Sequence, residues 1–293
     1  MTSPVYYDII KHNELKQHNT DWRTLMLTEA KKIIEDADVI ICMAGAGIGH
    51  DSGLPTFRGD DGFWKAYPKL GKKKMSFARI ATQYALNENP QLAWSLYGHM
   101  FDLFNDTIPH TGFNSLLKMC EDKEDYFVVT SNIDCHFQKA GFDTNKIYEI
   151  HGRINKFQCT ECGQLWEVSP SYRFDVNTTS MAMTATPFCK ECGGLARPNI
   201  MLFNDTGFDT VETEQQAVRF NECMHKYDKG NHKIAIIEIG AGDSVPTIRI
   251  MSEYIQQKVD GATLIRINPM DSDGPEGTIS VKVGALEAIN TII

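Results

Sequence analysis

Six short apolar runs rich in β-branched residues punctuate the chain: ADVIICMAGAG (37–47), YFVVT (126–130), KIYEI (146–150), HKIAIIEIG (232–240), ATLIRIN (262–268) and TISVKV (278–283). Runs of this length that stop at glycine or polar residues read as strands of a parallel sheet buried on both faces. Between most of them lie helical patterns: WRTLMLTEAKKIIEDA after a capping Thr20 or Asp21, then FARIATQYALNE, PQLAWSLYGHMFDLF, TGFNSLLKMCE, QQAVRFNECMHKY, VPTIRIMSEYIQQK and GALEAINTII. Strands alternating with helices predict an α/β fold, a doubly wound parallel (Rossmann-like) sheet whose ligands sit at the carboxyl ends of the strands.

Residues 153–203 break this rhythm. They are rich in Cys, Thr, Ser and Pro, and they contain Cys159-x-x-Cys162 and, after 26 residues, Cys189-x-x-Cys192. Two such pairs bring four thiolates to one tetrahedral Zn²⁺, and Gly163 and Gly193 let each knuckle turn tightly. A closed four-thiolate site leaves no position for water, so its metal is structural. The expected organisation is a discontinuous sheet domain (21–152 and 204–293), an inserted zinc-binding module (153–203) and an N-terminal extension (1–20). Cys42, Cys120, Cys135 and Cys223 are expected as apolar fillers.

The balance of 29 basic against 38 acidic side chains, net −9, opposes a phosphate backbone, so direct nucleic-acid binding is not expected. Lys72, Lys73 and Lys74 read as a solvated loop edge. No apolar run approaches the roughly 20 residues of a membrane span, and the first residues lack a basic region followed by an apolar core. A cytoplasmic address, or a nuclear one in a eukaryote, is expected.

The first strand ends in Gly45-Ala46-Gly47-Ile48-Gly49-His50-Asp51-Ser52-Gly53. Closely spaced backbone N–H groups at such a turn suit a diphosphate. No Walker lysine comes after it, and LPTFRGDDGFW stands where a crossover helix would run on. This stretch, AGAGIGHDSGLPTFRG, closely resembles the cofactor-binding segment of the sirtuins, NAD-dependent protein deacylases. TSNID (130–134), His151-Gly152, ARPNIMLF (196–203), IGAGDS (239–244) and LIRIN (264–268) agree in order, so the resemblance spans roughly residues 25–290.

The resemblance implies an enzyme that uses NAD and zinc to deacylate protein lysines, releasing nicotinamide and O-acyl-ADP-ribose. Its partner would be an acyl-lysine protein or peptide. Ala46, Ile48, Phe57, Asn132, Ile133 and Asp134 would line the nicotinamide–ribose pocket, with Gly45 and Gly47 also binding the cofactor. Ile133 and Asp134 would hold the carboxamide, Asn132 the ribose and a water, and Phe57 would shield the reactive face. Ser52 and Arg58 would face phosphates and ribose, with Ser131 beside the cofactor and Gly240, Ala241, Ser244 and Asn268 toward the adenosine. His151 would be the general base, its ordinary pKa of about 6.5 lying near working pH. The peptide would add as a strand near Leu202 to Asp205 and Asp243 to Pro246.

Four departures from the family pattern bear on this. Thr56 replaces an aspartate, Ser131 a glutamine, Asn204-Asp205 a Gly-Glu pair, and Ala241-Gly242 hydroxyl-bearing residues. They leave a mono-ADP-ribosyltransferase or NAD hydrolase using the same site as the alternative, and a non-catalytic zinc-dependent interaction module as a more distant one. His50, His99, His110 and His136 read as surface or core residues, and Phe63, Trp64, Tyr67 and Phe77 as staples of a cofactor lid.

Overall fold

The computed structural model describes residues 22–55, 59–228 and 232–293. Phe57, Arg58, Thr56 and the extension 1–20 lie outside them. Its strands are, in chain order, β1 (Val39–Ala44), β2 (Asp125–Thr130), β3 (Ile147–Glu149), β4 (Gly152–Cys159), β5 (Leu165–Glu167), β6 (Val176–Asn177), β7 (Ala182–Met183), β8 (Ala196–Ile200), β9 (Ile234–Ile239), β10 (Ala262–Ile267) and β11 (Ile279–Val281). All six apolar runs form strands of one parallel sheet, ordered β11-β10-β9-β1-β2-β3. The strand order reverses between β1 and β9, which makes their carboxyl ends the switch point where such sheets open a crevice.

The period-two alternation of β1 explains its two cores. Ile40, Cys42 and Ala44 face a layer built from the helices Trp22–Asp36, Thr111–Glu121 and Ala285–Ile292, with Ile34, Phe113, Leu116 and Ile289 packed in. Val39, Ile41 and Met43 face the helices Val211–Tyr227 and Thr247–Lys258 through Phe220, Tyr227, Ile248 and Ile255. Within the sheet Arg266 of β10 lies opposite Glu238 of β9, both fully buried, with two nitrogen–oxygen contacts of 2.7 and 2.9 Å. A buried pair of this kind is tolerated because each charge satisfies the other.

A second lobe combines β4, β5 and β8 with the short β6-β7 ribbon. Its core contains Ile154, Phe157, Phe174, Met183 and Ile200, together with Phe63, Tyr67, Leu70, Leu86, Trp94, Tyr97 and Phe101 from the helical stretch after the glycine turn. Trp94 is fully buried against Phe157 and Phe174 and donates its indole N–H to the Ala196 carbonyl at 2.8 Å. Chain order places residues 59–106 with the sheet domain, whereas packing joins them to the cysteine module, because their apolar faces share its core. Within and just after the LPTFRGDDGFW stretch, where a crossover helix would run on, the chain forms two short helices, Gly59–Ala66 and Pro68–Lys72. Pro68 opens the second, where its missing N–H costs nothing. Phe63 and Tyr67 are buried in the lobe's core, as staples would be.

Candidate active site

Strand register brings the sequence motifs to one edge. Ala44 is level with both Thr130 and Ile239, Thr130 with Glu149, and Ile239 with Ile267. Residues 45–47, 131–134, 150–151, 240–244 and 268 therefore all leave the sheet on the same side. After β1 the chain enters a 3-10 helix, Ala46–Ser52, where an ordinary dinucleotide fold begins an α-helix.

Its glycines serve the close approach of two crossovers. A methyl group on Gly45 would lie 2.6 Å from Ala241 Cα, one on Gly47 2.6 Å from Gly240 Cα, and one on Gly240 2.4 Å from the Ile48 nitrogen. Gly240 also holds φ at +66°, a left-handed conformation that favours glycine. Gly47 N–H donates to the Gly240 carbonyl at 2.9 Å, stitching the turns together. Ile48 is buried, while Ala46 and Ser244 are exposed at the rim.

The loop after β2 is drawn over this turn. Asn132 donates its amide to the Gly45 carbonyl at 3.1 Å, Ser131 N–H donates to the Ala44 carbonyl at 3.2 Å, and the Thr130 hydroxyl caps Asn132 N–H at 3.0 Å. Asp134 is buried and accepts from His136 N–H at 2.9 Å, and the Ile133 carbonyl accepts from Ile154 N–H at 3.0 Å. Cys135 sits at φ +58°, a conformation uncommon for a residue with a side chain. His151 comes two residues after β3. Burial lowers its pKa from the ordinary 6.5, opposed by a backbone hydrogen bond with Ser131 that favours the charged ring.

Sequence reasoning missed two residues that hold these loops. His110, by sequence an ordinary histidine, sits across the 3-10 turn: its Nε2 lies 2.9 Å from the Ile48 carbonyl, and its backbone N–H donates to the Ser52 hydroxyl at 2.9 Å. Since Nδ1 accepts from Gly112 N–H, Nε2 carries the proton that reaches Ile48. Arg249 reaches the loops after β9 and β10, with Nε 2.9 Å from the Asp243 carboxylate and Nη1 donating to the Asp271 carbonyl at 2.6 Å. Both act on loops that no local pattern ties to them.

Other expected contacts are placed differently. Asn268 is buried, its amide donating to the Ala241 carbonyl at 2.7 Å and its oxygen accepting from Met270 and Asp271 N–H, so its side chain braces the Gly240–Ser244 loop. In the segment expected to receive a peptide strand, Leu202 N–H is engaged with the Asp205 carboxylate and Phe203 N–H with the Ala81 carbonyl, and just before it Met201 N–H is engaged with the His151 carbonyl. Asp205 is turned inward in a buried ion pair with Arg197.

The four motif cysteines converge in the second lobe, their sulfurs all within 4.8 Å of one another. Cys159 and Cys192 lie 3.5 Å apart and Cys162 and Cys189 3.8 Å apart. A tetrahedron with Zn–S bonds of about 2.3 Å has edges of about 3.8 Å, so the set fits zinc. Gly163 and Gly193 hold φ at +74° and +75°, turning each knuckle. The Cys162 and Glu161 N–H groups approach the Cys159 sulfur at 3.4 Å and draw its thiol down to about 6.

A Rossmann-type sheet with a glycine turn at its switch point and an inserted four-thiolate module defines a class: zinc-containing proteins built to bind a dinucleotide. The Sir2 family model matches residues 45–234, and the chain belongs to the Sir2 family. It is 35% identical over 234 residues to the NAD-dependent protein deacylase of Aquifex aeolicus, covering 80% of this chain and 84% of that one. The NAD-dependent protein deacylase of Aeropyrum pernix is 27% identical over 243 residues, 82% and 85% of the two chains. Among solved structures, a Sir2 homolog in complex with NAD superposes with a TM-score of 0.66 over 90% of this chain and 91% of that one, at 20% identity, which supports the fold.

Proposed function

We infer that this protein is an NAD-dependent protein-lysine deacylase that yields nicotinamide and O-acyl-ADP-ribose. The observation that carries the reading is the single sheet edge at which the glycine turn, Asn132, Asp134 and His151 meet, in a chain of the Sir2 family. When bound, NAD supplies a ribose carbon that turns electrophilic as nicotinamide departs.

The chain's own residues divide the remaining work. The turn from Gly45 to Gly49 offers close backbone approach for a diphosphate. Asp134, with Ile133, faces the carboxamide, and its buried carboxylate is oriented by His136 N–H. Asn132, anchored on Gly45, holds the ribose. His151 removes a proton from a ribose hydroxyl, and its lowered pKa keeps the ring neutral and able to accept at neutral pH. Phe57 and Arg58 complete the pocket in this reading. An acyl-lysine protein is the second substrate, and the net charge of −9 favours a protein over a nucleic-acid partner in the cytoplasm.

One observation favours a second reading, in which the same site transfers ADP-ribose or hydrolyses NAD. The engaged N–H groups of Met201, Leu202 and Phe203 leave less backbone free for a peptide strand. Mass spectrometry of the products after incubation with NAD and a panel of acyl-lysine peptides separates the two. Peptide-dependent O-acyl-ADP-ribose is expected, and its loss is expected in His151→Ala. Free ADP-ribose or ADP-ribosylated protein with every peptide untouched would overturn the deacylase assignment.

A further inference from the structure

We propose that Arg153 and Gln216 are positioning residues for His151, pinning the crossover at which the chain leaves the parallel sheet for the cysteine module. The proposal rests on His151 as the base. Only Ile150 and His151 separate β3 from β4, and both flanks are tied to one helix face. Gln216 and Glu212 lie four residues apart on the helix Val211–Tyr227, one turn above each other. On the sheet side Gln216 accepts from Glu149 N–H at 2.8 Å and donates to the Glu149 carboxylate at 3.4 Å. On the module side Glu212 accepts from Arg153 at 2.6 Å and pairs with Lys156. Arg153 closes the circuit, reaching Glu149 at 3.4 Å and Glu167 of β5 at 2.5 Å.

The crossover itself has no slack. Ile150 N–H donates to the Thr130 carbonyl at 2.9 Å and the His151 carbonyl accepts from Met201 N–H at 3.0 Å. Gly152, at φ +71°, lets β8 approach so closely that a methyl group there would lie 2.2 Å from the Asn199 carbonyl. A cleft of only about 10 Å³, the space of a single water, lies beside Glu149, Arg153, Asn199 and Gln216, so little room is left on this side for the crossover to move while the clamp is intact. Three carboxylates face two cations here. Glu149 is 2% exposed, and burial holds its carboxyl above the ordinary range against the pull of Arg153. Removing Arg153 strips Glu149 of its cation and leaves its carboxylate on the amides of Gln138, at 2.8 Å, and Gln216 alone, freeing the module to shift relative to the sheet.

The test pairs kinetics with the histidine spectrum. In Arg153→Met and Gln216→Met we expect kcat to fall between about 10-fold and 10²-fold, the cost of a displacement near 1 Å, with KM for NAD held within about twofold. Arg153→Lys, which keeps a cation, is expected to recover most of kcat. Should either Met variant fail to fold, Glu212→Gln loosens the same tie while keeping shape, and a smaller loss in the same direction is expected. In isotope-labelled histidine spectra, the His151 ring resonance, assigned with His151→Gln, is expected to shift and broaden in each weakened variant. Variants that melt earlier but keep kcat and an unchanged His151 resonance would overturn the proposal. If the wild type deacylates nothing, the functional reading fails by itself, while the resonance still reports whether Arg153 and Gln216 hold the ring.

Discussion

His151 and Asp205 show how one environment, burial, sets opposite demands on a side chain. Burial disfavours the charged imidazole, so the His151 pKa moves down from 6.5. The acid limb of kcat/KM is therefore expected to have its midpoint below pH 6.5, and a midpoint above it in a pH–rate profile would contradict the base assignment. Burial presses the Asp205 carboxyl upward, yet Arg197 and the N–H groups of Leu202 and Gly207 outweigh it and hold the pKa below the usual range, so the group stays charged. Asp205→Ala is expected to cost roughly 3–5 kcal/mol by urea unfolding, since it strands a buried guanidinium. The Asn204-Asp205 departure from the family's Gly-Glu thus serves, in this chain, the lobe's interior. Its effect on peptide binding is through the loop it anchors.

Elements are joined at the site by close approaches that tolerate no added atom. Gly240→Ala places a methyl 2.4 Å from a backbone nitrogen at a left-handed residue. The two loops must part, and NAD affinity measured by calorimetry is expected to fall at least 10-fold as the diphosphate turn opens. Gly53→Ala is the control: its φ is +89° but nothing lies within 4 Å, so about 1–2 kcal/mol of backbone strain and little change in affinity are expected. Equal losses in both variants would mean that conformation, not contact, is what the glycines supply. Elements are legible in the sequence where a run is long and apolar, and all six sheet strands lie where the runs are. They are illegible between Leu54 and Lys74, where short helices depend on aromatic partners in a lobe far along the chain.

At the scale of the molecule, the second lobe carries the four-thiolate site, and three histidines are wholly or partly buried. Removing zinc with a chelator is expected to release the β4–β8 unit, expose Trp94 and Trp166, and red-shift tryptophan emission. An unchanged spectrum after metal loss would show that the aromatic core holds the lobe without it. His99, His136 and His151 all have pKa values lowered by burial below 6.5. Below that value the unfolded chain binds protons that the folded one refuses. Stability is therefore expected to be full above pH 6.5 and to decline as pH falls through the folded values, which a series of thermal melts between about pH 7.5 and 5 would track.

The parallel sheet, the family, the glycine turn and the four thiolates are all legible in the amino-acid order, because each is written in neighbouring residues: a run of β-branched side chains, a spacing of glycines, a doubled Cys-x-x-Cys. Other features exist only once the chain has folded. His110 and Arg249 hold the loops at the carboxyl ends of β1, β9 and β10, Asn268 braces a loop with its whole side chain, and residues 59–106 share a core with the cysteine module. Arg153 and Gln216 likewise come to either side of the His151 crossover only in three dimensions. Most of these contacts join residues tens to more than a hundred positions apart. Their partners are chosen by which helix faces and strand ends meet, so no local periodicity or spacing records them.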